Sequence, residues 1–216
     1  FWDFGHPASG MARERNTSGN TVTSGGSGFG VMAIVTGIHR NFISRADGLA
    51  RTQQIVDFLK TADRFHGAYS HWINGNTGKA IAFSAKDNGG DLVETAYLAQ
   101  GLLCVRQYFA NGNEKEQALA AKIDKLWKGI EWDWYRNGGK NVLYWHWSPN
   151  IGWKMNFAVT GFNECMIMYI MAAASPTHTI PAEVYHEGWA KSGAINTDIK
   201  PYGFPIKLAH NGQKNS

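Results

Sequence analysis

The sequence predicts an all-α protein made of helical hairpins that stand side by side, as in an α/α toroid. Along the chain, apolar helices that would be buried alternate with amphipathic helices that would lie outside them. Convincing strands are absent, apart from short pairings expected near 142–147. We therefore expect one α/α-toroid domain over residues 1–216, incomplete at one or both ends.

Three stretches are apolar on nearly every side, which is typical of buried inner helices. They are residues 28–43, 91–110 and 161–174. Each is followed by a stretch with a single apolar stripe, which predicts an outer helix. These outer stretches are residues 46–65, 114–131 and about 181–190. The chain thus holds about three inner–outer hairpins.

The connections between these helices differ in length. Turns from an inner to an outer helix are short, whereas the returns at 66–90 and 132–160 are long. Long loops in compact domains commonly carry function. Since both returns lead to the N-terminal ends of inner helices, we expect the site at that end. The glycines of "SGGSGFG", residues 24–30, are predicted to form close backbone turns at its rim.

The composition favours a neutral, polar partner. The 216 residues carry a formal net charge of +4 with no basic cluster, so nucleic acid is not expected. No apolar run reaches the roughly 20 residues that span a membrane. Nine Trp residues suit sugars, whose apolar C–H faces stack on aromatic rings. The sequence begins at Phe1 without a signal-like segment, so we expect a processed or truncated product.

Three carboxylates open the second inner helix. In "KDNGGDLVETAYLAQGLL", Asp87, Asp91 and Glu94 lie four and three residues apart and would share one helical face. Asp91 and Glu94 also resemble a capping box, and acidic residues favour helix N-termini, so capping is one interpretation. General acid/base chemistry on a neutral substrate is the other.

Glu164 is predicted to stand one turn into the third apolar helix, in "TGFNECMIMY". A bare carboxylate is too costly to bury, so such a side chain must be paired, hydrogen-bonded or protonated. A glutamic acid that stays protonated near neutral pH is what general acid catalysis requires. The structural alternative is a Glu satisfied by a nearby Arg or by backbone N–H groups.

Aromatic and imidazole side chains lie on the two long returns, and each could serve either packing or ligand binding. They are His71 and Trp72 on the first return, and Trp145, His146 and Trp147 on the second. No His or Cys spacing typical of a metal site occurs, so neither a metal nor another cofactor is expected. Cys104 and Cys165 lie in apolar helical runs and are predicted to be buried free thiols.

Several separated segments resemble the bacterial glycoamylase-like family, which includes endo-β-1,2-glucanases. The segments are "GGSGFGVMAIVTGIHRNFISRADGLAR", the D-x3-D-x2-E pattern that starts at Asp87, "GIEWDWYR", "HWSP" and "GFNECMIMYIMAAASPTHTIPAEVY". They occur in order over nearly the whole chain. The resemblance implies an (α/α)6 toroid, of which this chain would cover roughly half. The other half of the toroid would then be a partner of this chain.

The resemblance also implies a function. It indicates an exported glycoside hydrolase, periplasmic or extracellular, that cleaves a neutral glucan, β-1,2-glucan above all, by an inverting general acid/base mechanism. Glu164 falls on the family's general acid, and the three carboxylates fall on its essential acidic cluster. We expect Asp91 first as the base or substrate-orienting group, followed by Asp87 and Glu94.

The remaining candidates would bind the substrate. By this interpretation, Trp72, Trp145 and Trp147 are stacking platforms for sugars, while His71 and His146 bind hydroxyl groups.

Other functions remain open at this point. A non-catalytic glycan-binding module would bind oligosaccharide without releasing product. A glucoamylase would act on α-1,4-glucan. A polysaccharide lyase would need a Tyr or His base and basic residues for uronates, and a terpene cyclase would need Mg²⁺ on an Asp cluster.

Overall fold

The structure is a computed structural model in which residues 1–205, 207 and 208 are described. These residues form five α-helices: α1 Ser24–His39, α2 Arg45–Leu59, α3 Leu92–Phe109, α4 Glu114–Lys128 and α5 Met166–Ala174. They also form five short strands: β1 Thr21–Thr23, β2 Trp72–Asn74, β3 Ala80–Ile81, β4 Gly90–Asp91 and β5 His146–Trp147. The protein is therefore rich in helix, with few strands, as predicted.

The helices form two layers in the order that the sequence predicts. Helix α3 lies between α1 and α5, and these three make the inner layer. Helix α2 packs on α1 and on α4, and α4 packs on α3, so that α2 and α4 are the outer layer. The outer element expected at 181–190 is a π-helical turn at Val184–Trp189, which packs against α5. None of the described helices combines the length and the apolar character needed to cross a bilayer.

Two strands of the long first return join β1, which precedes α1, in a sheet that the sequence analysis missed. Strands β1, β2 and β3 form an antiparallel sheet in that order, with Val22 opposite Ile73 and Ile73 opposite Ala80. The expected pairing near 142–147 does occur, since β5 pairs with β4. Strands of two or three residues are too short to show an alternating pattern, which explains the omission.

The third inner helix begins later than predicted. The sequence analysis placed its start at 161, but α5 starts at Met166. Gly161 has a left-handed φ of 79°, and the side-chain oxygen of Asn163 accepts a hydrogen bond from the Cys165 backbone N–H at 2.9 Å. This turn chemistry holds the segment out of a helix, so Glu164 lies in the turn before α5 rather than inside it.

The two cysteines differ in exposure. Both are free thiols, but Cys104 is exposed on α3, whereas Cys165 is buried. The prediction of two buried thiols was thus wrong for Cys104. This residue lines a shallow cavity of about 560 Å³ between α1, α3 and α5. Apolar side chains on the same three helices and the turn before α5, such as Phe29, Phe162 and Ile170, are also exposed.

Glycines allow α1 and α3 to cross in backbone contact. The segment 24–30 is helical, not turned as the sequence analysis expected. A Cβ atom on Gly28 would lie 2.2 Å from the carbonyl oxygen of Tyr97, and one on Gly101 would lie 2.1 Å from that of Gly28. Since backbone atoms cannot move aside as a side chain can, only glycine fits at these two positions. The crossing brings the N-terminal ends of both helices together.

Gly28→Ala should therefore destabilise the protein by about 1–3 kcal/mol or more, because it overpacks a backbone contact. Gly37→Ala is a matched control on the same helix, where the added Cβ meets only the Ile43 side chain, at 3.4 Å. That control should be neutral or stabilise the helix by about 0.5–1 kcal/mol. Urea denaturation of both variants measures the difference, and equal stabilities would contradict the account.

Candidate active site

The N-terminal ends of α1 and α3 meet at a cluster of carboxylates and imidazoles, with Asp91 at its centre. Asp91 is the N-cap of α3, and its Oδ1 accepts a hydrogen bond from the Glu94 backbone N–H at 2.9 Å. Its Oδ2 lies 2.9 Å from His71 Nδ1. Its backbone N–H donates to the Tyr69 carbonyl, and in the β4–β5 pair it lies opposite His146. The expected cap is thus confirmed, and Asp91 also ties three segments together.

His71 pairs with Asp91 and is partly exposed. Burial lowers the pKa of His71, but the hydrogen bond and charge of Asp91, with the charges of Glu94 and Asp87, outweigh it and raise this pKa overall. The imidazole also stacks on Phe83, with 4.2 Å between ring centroids. His71 is therefore held with one ring nitrogen on Asp91 and its ring at the surface of the site.

Asp87 reaches the cluster from a loop, not from the helix. The sequence analysis expected the three carboxylates on one helical face, but Asp87 lies in a tight turn that pairs with Ser84. The residue is only 4% exposed, and Oδ1 has no hydrogen-bond partner among the described residues. Burial, reinforced by the charge of Asp91, raises the pKa of Asp87 to about 7. Asp87 thus exchanges a proton near neutral pH.

His146 holds the loop that carries Asp87. Its Nε2 accepts hydrogen bonds from the backbone N–H groups of Asn88 and Gly89, at 3.1 and 2.9 Å. The ring proton must then sit on Nδ1, which has no partner among the described residues. Burial lowers the pKa of His146, in keeping with a neutral ring. Because the ring is buried, its direct role in this structure is to position the loop.

Glu94 turns away from its own helix toward α1. Its Oε2 accepts a hydrogen bond from the Gly25 backbone N–H at 3.1 Å and lies 3.5 Å from Thr23 Oγ1. Asp91 and Glu94 therefore form only half of a capping box, because the Glu94 carboxylate occupies the N-terminus of α1 instead. Burial and the charge of Asp91 raise the pKa of Glu94, while His71, Gly25 and Thr23 partly offset them.

Glu164 lies close to this cluster but is exposed. Tyr97, one turn beyond Glu94 on α3, donates its hydroxyl proton to the Glu164 backbone carbonyl at 2.7 Å. The charges of Glu164 and Glu94 both help to raise the pKa of Tyr97, to about 12, although burial is the largest cause. The expectation of a buried Glu164 was wrong, because the preceding turn keeps the side chain out of the helix and the core.

The three candidate tryptophans surround the cluster and are partly buried. The ring centroids of Trp72 and Phe83 are 4.8 Å apart, and those of Trp145 and Phe157 are 5.4 Å apart. Trp147 lies edge-on to His66 and Trp134. The structure thus gathers all nine sequence candidates at one end of the inner helices. Tyr97, Thr23 and Phe83 were missed, because no local pattern distinguishes them from packing residues.

One ligand atom each from His71, Asp87 and Asp91 lies within 4.8 Å of the others, a geometry that could accept a cation. Within the described residues, however, the hydrogen bond between His71 and Asp91 already satisfies two of these groups. The Asp87 Oδ1 atom, by contrast, has no hydrogen-bond partner among the described residues.

The profile of the family described as "Putative glucoamylase" matches residues 156–213. An exo β-1,2-glucooligosaccharide sophorohydrolase (non-reducing end) from Parabacteroides distasonis is 50% identical over 193 residues, which make up 88% of this chain and 27% of that protein.

Solved structures agree closely with the fold. The endo-β-1,2-glucanase from Chitinophaga pinensis, solved with sophorotriose and glucose, is 66% identical and superposes with a TM-score of 0.96 over 99% of this chain. The resemblance to the glycoamylase-like family is confirmed. A putative glucoamylase from Bacteroides caccae is 58% identical, with a TM-score of 0.96 over 99% of this chain. The chain spans 53% and 54% of these two relatives, about half of their length.

Asp91→Asn should lower the pKa of His71. The substitution removes the charge that favours the imidazolium and weakens the acceptor on Nδ1, which leaves burial as the main influence. Titration of the histidine ring signals by NMR measures this pKa. His39, at the C-terminal end of α1, is the internal reference, and an unchanged His71 titration would refute the pairing.

Asp87→Asn should stabilise the protein at pH 8 and not at pH 4. Because its folded pKa of about 7 is raised, protonated Asp87 contributes stability that is full below about pH 4 and is lost as the pH rises through 7. Asparagine mimics the protonated form at every pH. Urea denaturation at both pH values measures the free energy of unfolding of this variant and of the control Asp3→Asn, at an exposed position. Equal increases in the stability of Asp87→Asn at pH 4 and pH 8 would contradict the raised pKa.

Proposed function

We propose that this protein contributes the acidic centre of a glycoside hydrolase that cleaves β-1,2-glucan by an inverting general acid/base mechanism. The observation that carries the proposal is the buried carboxylate cluster at the ends of α1 and α3, in a chain that matches a β-1,2-glucanase over 99% of its length. A neutral glucan suits a site rich in carboxylates and aromatic rings, which would repel an anionic polymer.

Glu164 is the proposed general acid, which protonates the leaving glycosidic oxygen. Its exposed side chain borders the acidic cluster, where Tyr97 holds the turn that carries it. Solvent exposure of Glu164 in this half of the fold leaves room for a sugar to cover it.

Asp87 is the proposed general base. Asp91 was the first candidate from the sequence, but both of its oxygens already hold His71 and the α3 N-terminus. Asp87 Oδ1 is buried without a hydrogen-bond partner among the described residues, and the Asp87 pKa of about 7 lies near the value that suits a general base. Asp91 then positions His71 and, through its charge, helps to raise the pKa of Asp87, while Glu94 fixes the two helix ends. Inverting enzymes keep their two carboxyl groups about 6.5–9.5 Å apart to admit the attacking water.

The substrate would lie along the aromatic side chains of the two long returns. His71, with its ring at the surface, is the proposed hydroxyl-binding imidazole, and Trp72, Trp145 and Trp147 are the proposed stacking platforms. We place the reaction outside the cytoplasm, in the periplasm or beyond the cell, where a polymeric glucan would be met.

We further propose that the two layers are half of an (α/α)6 toroid. The inner layer α1–α3–α5 exposes apolar side chains and a cavity on the face away from the outer helices. Further hairpins would cover such a face in a closed ring. The relatives are about twice as long as the part that this chain matches, which supports the same arrangement.

Incubation with β-1,2-glucan and, in parallel, α-1,4-glucan tests the substrate. We expect short β-1,2-linked oligosaccharides from the first and no product from the second, as separated by chromatography. Release of glucose from α-1,4-glucan alone would instead support a glucoamylase. Binding of β-1,2-glucan without product would support a glycan-binding module.

Glu164→Gln should lower turnover of β-1,2-glucan by about 10²–10⁴-fold and leave binding largely intact, because the amide keeps the shape but cannot donate the proton. Glu183→Gln, at an exposed position before the π-helical turn, is the matched control and should retain activity. Loss of binding together with turnover in Glu164→Gln would point to a structural role for Glu164.

A further inference from the structure

We propose a second carbohydrate-binding site, beside the acidic cluster, that holds the glucan chain at a distance from the bond being cleaved. We call it the indole pocket. It is a cavity of about 300 Å³ lined by Glu131, Asp133, Trp134, Gly138, Gly139 and His178. None of these residues belongs to the acid/base cluster. The inference rests on the proposed function for the identity of the sugar.

Trp134 supplies an exposed but fixed aromatic surface. The residue is 40% exposed, an unusual fraction for a side chain of this size. His66 stacks on the indole, with ring centroids 3.6 Å apart and planes inclined by 13°. His66 is itself held by its ring Nδ1, 2.8 Å from Glu131 Oε2, and by its backbone carbonyl, which accepts from the Glu131 N–H at 3.1 Å. The exposed part of the indole is therefore rigid before any ligand arrives.

Two His–carboxylate pairs surround the indole with hydrogen-bonding groups. Glu131 pairs with His66, and Asp133 Oδ1 lies 3.1 Å from His178 Nδ1. Each carboxylate uses one oxygen in its pair, which leaves the other to accept a hydroxyl proton. Carboxylates and imidazoles next to an aromatic face are the groups that bind a pyranose, through its hydroxyls and its C–H face.

The loop at the edge of the pocket is open and preorganised. Asn137, Gly138 and Gly139 all have positive φ, and a Cβ on either glycine would meet no atom within 4 Å. Arg136 holds this loop through bonds from its guanidinium to the carbonyl oxygens of Gly139 and Lys140, at 2.6 and 2.9 Å. A ligand can thus approach the indole without displacing a side chain of this loop.

The charge of the pocket selects a neutral ligand. Glu131 and Asp133 line the cavity, and no Lys or Arg does, so phosphate or uronate groups would be repelled. The pocket also adjoins the acidic cluster through Trp147. The ring centroids of Trp147 and Trp134 are 5.8 Å apart, and in the β4–β5 pair Trp147 lies opposite Gly90, next to Asp91. A glucan bound in the cleft could continue across Trp147 onto Trp134.

Titration calorimetry with glucans of two lengths tests the pocket. All variants carry Glu164→Gln so that the ligand stays intact. Trp134→Ala should weaken binding of a long β-1,2-glucan about tenfold, the loss of one stacked ring, and binding of a β-1,2-linked glucose trisaccharide far less. His178→Ala, which keeps the indole, should weaken long-chain binding severalfold. Phe42→Ala removes an exposed aromatic ring in the turn after α1 and is the control that should change neither affinity.

The outcomes separate this inference from the proposed function. Wild-type affinity of Trp134→Ala and His178→Ala for long glucan would overturn the pocket even if the unaltered chain hydrolyses the glucan. Weaker long-chain binding in both variants, in a chain that releases no product, would support the pocket and count against hydrolysis. An equal loss of affinity for the trisaccharide would place Trp134 in the cleft itself and overturn the idea of a separate site. The proposal would also be overturned if the parent Glu164→Gln chain bound no glucan.

Discussion

The contact of α1 with α3 through Gly28 and Gly101 is the constraint on which the site depends. The two backbones approach so closely that no side chain fits between them. This approach puts the α1 N-terminus within reach of Glu94, whose carboxylate accepts the Gly25 N–H. A carboxylate at a helix N-terminus is stabilised by the free N–H groups and the helix dipole. Burial and the charge of Asp91 nevertheless raise the pKa of Glu94, so packing and chemistry are coupled at this point.

Among the described residues, each oxygen of the Asp91 carboxylate has a hydrogen-bond partner, whereas Asp87 Oδ1 has none. The two Asp91 oxygens bind His71 and the Glu94 backbone N–H at the α3 N-terminus, so the Asp91 charge is fixed in place. That fixed charge acts on Asp87, whose buried Oδ1 has no partner among the described residues and whose pKa rises to about 7. Asp87 stays beside Asp91 because His146 Nε2 binds the backbone N–H groups of residues 88 and 89. An acid/base group with a pKa near neutral thus follows from burial, together with the fixed charge of Asp91 beside it.

The sequence predicted α1, α3 and α4 to within about four residues, because their apolar patterns extend over four or more turns. It extended α2 to residue 65, well beyond its observed end at Leu59. It also predicted which side chains would meet, since both long returns lead to one end of the inner layer. It failed where few residues decide the backbone. Asn163 and Gly161 delay α5 and expose Glu164, and the two- and three-residue strands are set by pairing with distant segments. The roles of His146 and Tyr97 depend on contacts 57 and 67 residues away, which no local pattern encodes.

The central claim is that this cluster performs inverting hydrolysis of β-1,2-glucan, and the anomeric configuration of the first product tests it most directly. Proton NMR during the first minutes of hydrolysis distinguishes the two anomers before they equilibrate. An inverting enzyme that cleaves a β-linkage must release the α-anomer first, since water attacks the face opposite to the leaving group. The account predicts that signal from this protein. Initial release of the β-anomer would contradict the assignment of Asp87 as a general base and require a covalent nucleophile instead.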